Sequence, residues 1–231
     1  MKISAFVAFP FQWLSLHPQS LTIRMLTRTV KISNVTNLSD ARYCAGMGVE
    51  MLGFSIDEDS PNYISPKKFE DICSWLAGVT LVAETSQTDA ESIIKSLAQY
   101  PVHSVQVESS ALLNYLHSEL SLPLILRISV DTYEADEISS ILSRFEGDVS
   151  HFLLESDANA KLSDEWIQVL GNLAGEYSIL VGFGLEDEYS VTALTELFPS
   201  IGIALRGSEE IRPGYKDFGS MMDILEALEE Q

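Results

Sequence analysis

The chain has 231 residues, 46% of them apolar and 21% charged, which is enough for a sizeable globular core and too apolar for a disordered segment. Its 14 Lys and Arg against 34 Asp and Glu give a formal net charge of −20, a field that repels nucleic acid and anionic membrane surfaces. That field also repels an anionic substrate unless the site carries its own positive potential, and no apolar run is long enough to span a bilayer.

The first 28 residues are read as an N-terminal extension. Met1–Pro18 carries Phe6, Phe9, Phe11 and Trp13 behind Lys2, faintly in the manner of a secretory signal. Pro10 and Gln12 interrupt it and no convincing small-x-small cleavage pattern follows. A segment packed on the body of the protein, and a true start at Met25, are the competing readings. Residues 1–31 hold Lys2, Arg24, Arg28 and Lys31 and no acid, so the rest of the chain is more acidic than the total suggests.

From Val30 the pattern alternates. Val30–Ser33 reads as a short apolar strand and Asn34–Asn37 as a polar turn. Ser39 and Asp40 offer N-cap chemistry for a helix that Gly46 and Gly48 close. Met51–Ile56 follows as a second strand, so this stretch is a βαβ unit with a parallel pair and a right-handed crossover. Further strands are predicted at Val79–Glu84, Val102–Val107, Pro123–Ile128, Ser150–Glu155, Ser178–Gly182 and Ile201–Arg206. Between and after them stand amphipathic helices at Lys67–Leu76, Asp89–Gln99, Ala111–Leu120, Tyr133–Phe145 (capped near Asp131), Ser163–Ala174 (N-cap Ser163), Asp187–Phe198 and Phe218–Glu229. Eight strands, each followed by a helix across short loops, predict a single α/β domain, a (β/α)8 TIM barrel over residues 29–231. No glycine-rich dinucleotide turn follows an early strand, which argues against an open nucleotide-binding sheet.

In such a barrel the chemistry sits at the carboxyl ends of the strands. Those ends present Ser33 and Asn34; Asp57, Glu58, Asp59 and Asn62; Glu84; Gln106 and Glu108; Arg127; Glu155 and Asp157; Gly182–Gly184; and Arg206–Ser208. Gly182, Gly184, Gly207 and Ser208 suit backbone binding of a phosphate, and Arg206 adds a cation. Asp57, Glu58 and Asp59 read as a solvated loop, with a cation site as the lesser alternative. Cys44 and Cys73 read as two buried reduced thiols rather than a disulfide or metal pair, and His17, His103, His117 and His151 show no metal-ligand spacing. Neither a metal nor an organic cofactor is predicted.

Residues 29–230 resemble phosphoribosylanthranilate isomerase, a (β/α)8 enzyme of tryptophan biosynthesis. The family's K-I-C-G-I-T stands here as KISNVT, its D-A as Asp40–Ala41, its G-A-D-x-x-G-F strand as GVEMLGF and its S-x-R-x-I-S-P as SPNYISP. V-Q-L-H-G stands as VQVES (Val105–Ser109), the aspartate-ended strand as FLLES (Phe152–Ser156), G-G-L as FGL (Phe183–Leu185), and S-G-V-E…P-G-x-K-D as RGSEEIRPGYKD (Arg206–Asp217). The resemblance implies an Amadori rearrangement, the aldose-to-ketose isomerisation of an aminated phosphosugar, without cofactor. Its ligand would be a small phosphorylated sugar or related anion, its setting cytoplasmic, with no nucleic-acid or membrane partner; the oligomeric state is left open.

The resemblance also implies a cysteine base, an aspartate acid and an arginine for the anthranilate end. Ser33, Glu155 and Asn62 stand at those positions, and Glu108 replaces the histidine. The implied catalytic pair is therefore Ser33 and Glu155, with Asn62, Gln106, Glu108 and Arg127 towards the substrate and Gly182, Gly184, Arg206, Gly207 and Ser208 towards its phosphate. A serine hydroxyl is a far weaker base than a thiol that titrates near pH ~8.5, and general acid–base catalysis supplies about 10²–10⁴-fold per group. Moving a carboxyl by one methylene, about 1 Å, can cost ~10²-fold. Two functional readings follow: an isomerase with weak or substituted chemistry, and a barrel that binds a small phosphorylated ligand without the family reaction. Ser33 as a polar strand end, and Arg206 as the partner of nearby acids, are the plainer readings of those two residues.

Overall fold

The computed structural model describes residues 25–207, 210–212, 215–216 and 219–229. The readings made of Met1–Arg24 and of Ser208 lie outside the described residues. Eight parallel strands close into one barrel: β1 (Val30–Ser33), β2 (Met51–Ser55), β3 (Thr80–Thr85), β4 (Ser104–Val107), β5 (Leu124–Ser129), β6 (His151–Glu155), β7 (Ile179–Gly182) and β8 (Gly202–Arg206). The closing pair sets Val30 opposite Ile203 and Ser33 opposite Arg206. Helices α1 (Leu38–Gly46), α2 (Pro66–Cys73), α3 (Ala90–Leu97), α4 (Leu113–Glu119), α5 (Ala135–Phe145), α6 (Asp164–Leu173), α7 (Glu188–Leu197) and α8 (Gly219–Ala227) alternate with the strands. The predicted fold class is the observed one.

The strands read as apolar runs because both faces are buried. One face of each strand packs outward on the helices. Phe54 meets Phe69 of α2 edge-on at 5.1 Å, Phe69 meets Tyr100 at 5.4 Å, and the Tyr100 hydroxyl donates to the Ile64 carbonyl at 2.7 Å. The other face fills the barrel with a second apolar cluster, Met51, Val82, Ile125, Leu153, Leu180 and Ala204. Because side chains repeat every two residues along a strand, the next inward layer towards the carboxyl ends is Gly53, Glu84, Arg127, Glu155, Gly182 and Arg206. An apolar plug thus carries a polar floor.

Local details differ from the sequence reading. The N-cap of α1 is Asn37, whose side chain accepts from the Asp40 N–H at 2.9 Å, and not Ser39 or Asp40, which lie inside the helix. Glu134 and Glu137 cap α5, with the Glu134 N–H donating to the Glu137 carboxylate at 3.0 Å, while Asp131 serves a neighbouring loop. Ser163 caps α6 as predicted. The single helix predicted at Ala111–Leu120 is a 3-10 turn, Ser110–Leu112, running into the short α4. A two-stranded hairpin, β9 (Glu210–Arg212) and β10 (Tyr215–Lys216), stands between β8 and α8 where a plain loop was expected. Cys44 is buried as expected, but Cys73 is only partly covered. Before the barrel, Leu26 pairs with Glu229 and the Thr27 N–H donates to the Leu228 carbonyl at 2.9 Å, tying the chain ahead of β1 to the end of α8.

Candidate active site at the carboxyl ends of the strands

The polar floor opens into a cavity of about 270 Å³. Ser33, Asn62, Gln106, Glu108, Arg127, Glu155 and Arg206, all singled out from sequence, line it together. Gly182 and Gly184 line an adjoining cavity of about 280 Å³ that shares Arg206 with the first.

Beneath Ser33 lies a buried ion pair that sequence reading did not assign. Lys31 points inward at the level of the apolar plug, opposite Met51 and Ala204, and is fully buried. Its ammonium donates to the Ser33 hydroxyl at 2.6 Å and to the Glu84 carboxylate. The second Glu84 oxygen accepts from the Asn34 N–H at 2.9 Å, and Asn34 takes the left-handed conformation, φ 57°, at the end of β1. Glu84 lies over Gly53, where any side chain would occupy the carboxylate's space. Ser33 is therefore a polar strand end with a partner, though its partner is a lysine rather than backbone.

Asp57 corrects the solvated-loop reading. It is buried, and its oxygens accept from the Thr85 hydroxyl (2.6 Å), the Ser86 N–H (2.7 Å), the Ser86 hydroxyl (2.9 Å) and the Gln87 amide (3.0 Å). Glu58 and Asp59 point out to solvent, so the three carboxylates do not converge. The turn that Asp57 starts, closed by Ser60 N–H to the Asp57 carbonyl at 3.0 Å, brings Asn62 to the cavity rim.

On the opposite side, two arginines grip the carboxylates. Arg127 donates from Nε to Glu155 (2.6 Å), from Nη1 to Glu108 (3.1 Å) and from Nη2 to both oxygens of Asp157 (2.7 and 2.8 Å). Arg206 reaches the other Glu155 oxygen at 3.4 Å, Asp157 at 2.7 Å and the Ser156 carbonyl at 3.2 Å. Both oxygens of Glu155 thus accept from guanidinium groups. Its longer side chain fits because β7 ends in glycine; a Cβ on Gly182 would approach the Glu155 Cγ to 3.0 Å. Burial disfavours the Arg127 cation, but its bonds to Asp157 and Glu155 outweigh burial and raise its pKa. The same bond from Arg127 holds Asp157 below the usual carboxylate range. Burial pushes the Glu108 carboxyl up; Arg127 opposes this, and Asp157, Glu155 and Asp57 reinforce it. Asp131 anchors the segment carrying Asp157, accepting from the Ser156 hydroxyl (2.8 Å), the Asp157 N–H (2.6 Å) and the Ala158 N–H (3.1 Å).

The glycines differ in what they leave open. Gly184 is left-handed, φ 67°, and packs against Leu162. The Gly207 N–H donates to the Ser33 carbonyl at 2.7 Å, so it belongs to the β1–β8 ladder and is not free for an anion. Among the described residues no group of His, Cys, Asp and Glu is arranged to hold a metal ion, and no helix is long and apolar enough to cross a membrane.

No family model matches the chain. It is 25% identical over 208 residues to N-(5'-phosphoribosyl)anthranilate isomerase of Gloeothece citriformis (strain PCC 7424), covering 86% of this chain and 93% of that one. The crystal structure of phosphoribosyl anthranilate isomerase from Thermotoga maritima superposes with a TM-score of 0.72 at 20% identity, covering 87% of this chain and 98% of that one. A phosphoribosyl anthranilate isomerase in complex with reduced 1-(o-carboxyphenylamino)-1-deoxyribulose 5-phosphate superposes at 0.69 and 19% identity, with the same coverage.

Proposed function

We propose a function for this barrel from the premise that it belongs, as a divergent member, to the phosphoribosylanthranilate isomerase family. It is a phosphoribosylanthranilate isomerase-like protein that takes a phosphorylated sugar derivative at its mouth and performs the family rearrangement slowly or not at all. The observation that carries this reading is the bracketing of Glu155 by Arg127 and Arg206.

An Amadori rearrangement needs one group to give a proton to the opening sugar ring and another to take a proton from C2. Ser33 stands at the base position, and its oxygen already accepts from the Lys31 ammonium. A hydroxyl in that setting is a poorer proton acceptor than a free one, and no activating base touches it among the hydrogen bonds of the described residues. Glu155 stands at the acid position with both oxygens accepting from arginines, so it reaches a substrate only by exchanging those bonds. Loss of one general acid–base group costs about 10²–10⁴-fold. A ligand's phosphate finds better support. Arg206 lines the cavity beside Gly182 and Gly184 and its side chain is 45% exposed, so its guanidinium can exchange Asp157 for a phosphate.

Titration calorimetry with ribose 5-phosphate and with ribose, at low ionic strength, tests the binding half of the reading. Ribose 5-phosphate binds and ribose does not, and Arg206→Ala weakens the phosphate ester by about tenfold or more. Equal or absent binding of the two sugars contradicts it.

A further inference from the structure

The cavity is two-sided in charge. Its β5–β8 side carries Arg127 and Arg206, balanced by Glu155 and Asp157. Its β2–β4 wall carries Asp57, Glu84, Gln106 and Glu108, with Asn62 above them. The one cation beneath that wall, Lys31, is fully buried and committed to Glu84 and Ser33. Asp57 and Glu84 already accept hydrogen bonds from protein donors.

Two groups on the wall stand differently. Gln106 is only 6% exposed and lines the cavity, and its buried Oε1 has no hydrogen-bond partner among the described residues. Buried polar atoms are normally paired, so an orphaned acceptor facing a cavity points to a donor on whatever fills it. Glu108 is partly exposed and holds one bond, from Arg127 at 3.1 Å. A carboxylate entering here would meet Glu108 and Asp57, while the cation at the edge of the wall, Arg127, is already bonded to Glu155, Asp157 and Glu108 itself, and like charges brought together in a partly buried site are strongly disfavoured.

We infer that the β2–β4 wall selects the non-phosphate end of the ligand, taking an uncharged or cationic hydrogen-bond donor such as a carboxamide or amine in preference to a carboxylate. Gln106 Oε1 and Glu108 are the acceptors, and Glu108 sets the preference. This rests on the phosphorylated-ligand reading above and reverses the charge of the carboxyphenyl end carried by the ligand of the related structure.

The test uses two probes, reduced 1-(o-carboxyphenylamino)-1-deoxyribulose 5-phosphate and its carboxamide counterpart, titrated calorimetrically into the full chain at neutral pH. The carboxamide binds at least about tenfold more tightly, a like-charge discrimination of modest size. Glu108→Gln brings the two affinities together, and Glu108→Arg inverts them, with circular dichroism confirming that each variant is folded. Tighter or equal binding of the carboxylate by the wild type overturns the inference. A preference that survives Glu108→Gln unchanged also overturns it, because the discrimination then comes from the overall charge and not from this wall. If ribose 5-phosphate binds and neither analogue does, the inference fails alone; if none of the three binds, the phosphorylated-ligand reading fails with it.

Discussion

Replacing Glu84 by glutamine removes one charge from the floor of the barrel with almost no change of shape. Lys31 is fully buried at the level of the apolar plug, and its ammonium has two partners, the Glu84 carboxylate and the Ser33 hydroxyl. Glu84→Gln leaves that ammonium with one neutral hydroxyl acceptor and an amide. Breaking a buried ion pair from one side costs about 3–5 kcal/mol, because an uncompensated charge stays behind. Lys31→Met leaves Glu84 with only the Asn34 N–H and falls in the same range. For a domain of this size each kcal/mol moves Tm by about 2–4 °C, so each single variant melts roughly 6–20 °C below the wild type. The double variant removes both charges together, and its loss is smaller than the sum of the singles by at least about 2 kcal/mol. Urea unfolding at neutral pH, followed by far-ultraviolet circular dichroism, closes the cycle. Singles that cost less than about 1 kcal/mol, or losses that simply add, would refute the buried-pair reasoning.

Four other outcomes follow from the structure. Burial, reinforced by neighbouring carboxylates and opposed by Arg127, holds the Glu108 carboxyl above its ordinary value, so the folded protein binds that proton more tightly than the unfolded chain does. Stability therefore falls as pH rises from about 4.3, the unfolded value, through the folded one; Glu108→Gln raises the urea midpoint at about pH 7 and leaves it unchanged at about pH 4. Gly184 has φ 67°, and an added Cβ would lie 2.6 Å from the Leu162 nitrogen, so Gly184→Ala loses about 1–3 kcal/mol or more in urea titration. Gly46, with open space around it, gains about 0.4–1 kcal/mol as Ala in the same assay. Burial pushes both the Cys44 and Cys73 thiols up to about 12, so exposure decides the order: iodoacetamide at about pH 8 labels the partly exposed Cys73 first, and mass spectrometry finds the buried Cys44 labelled only as urea opens the fold; equal labelling rates in native buffer would contradict this.

The barrel was legible because parallel strands buried on both faces leave continuous apolar runs, and the turns between them are short and polar. The ring of site residues was legible for a related reason: in a barrel the carboxyl ends of all strands meet, so Ser33, Gln106, Arg127, Glu155 and Arg206 had to share one cavity. What sequence did not disclose is which of them bond to each other. Lys31 and Glu84 each stand alone as charges in apolar strands, VKIS and TLVAET, and that was the available signal. Their pairing across β2 depends on Gly53 leaving room between them. Asp57 looked like one of three solvated acids, because only the fold turns it under the Thr85–Gln87 segment. The β9–β10 hairpin stayed hidden because its strands, Glu210–Arg212 and Tyr215–Lys216, are too short to show alternation.

The most direct test of the central claim is turnover of N-(5'-phosphoribosyl)anthranilate, read by anthranilate fluorescence, for this chain and the Gloeothece citriformis relative at equal concentration. A Ser33→Cys, Asn62→Arg double variant runs beside them. The relative turns the substrate over, this chain is slower by at least about 10²-fold, and the double variant recovers measurable activity. Turnover by the wild-type chain within about tenfold of its relative would contradict the proposal that Ser33 and the arginine-bound Glu155 support the family rearrangement slowly or not at all.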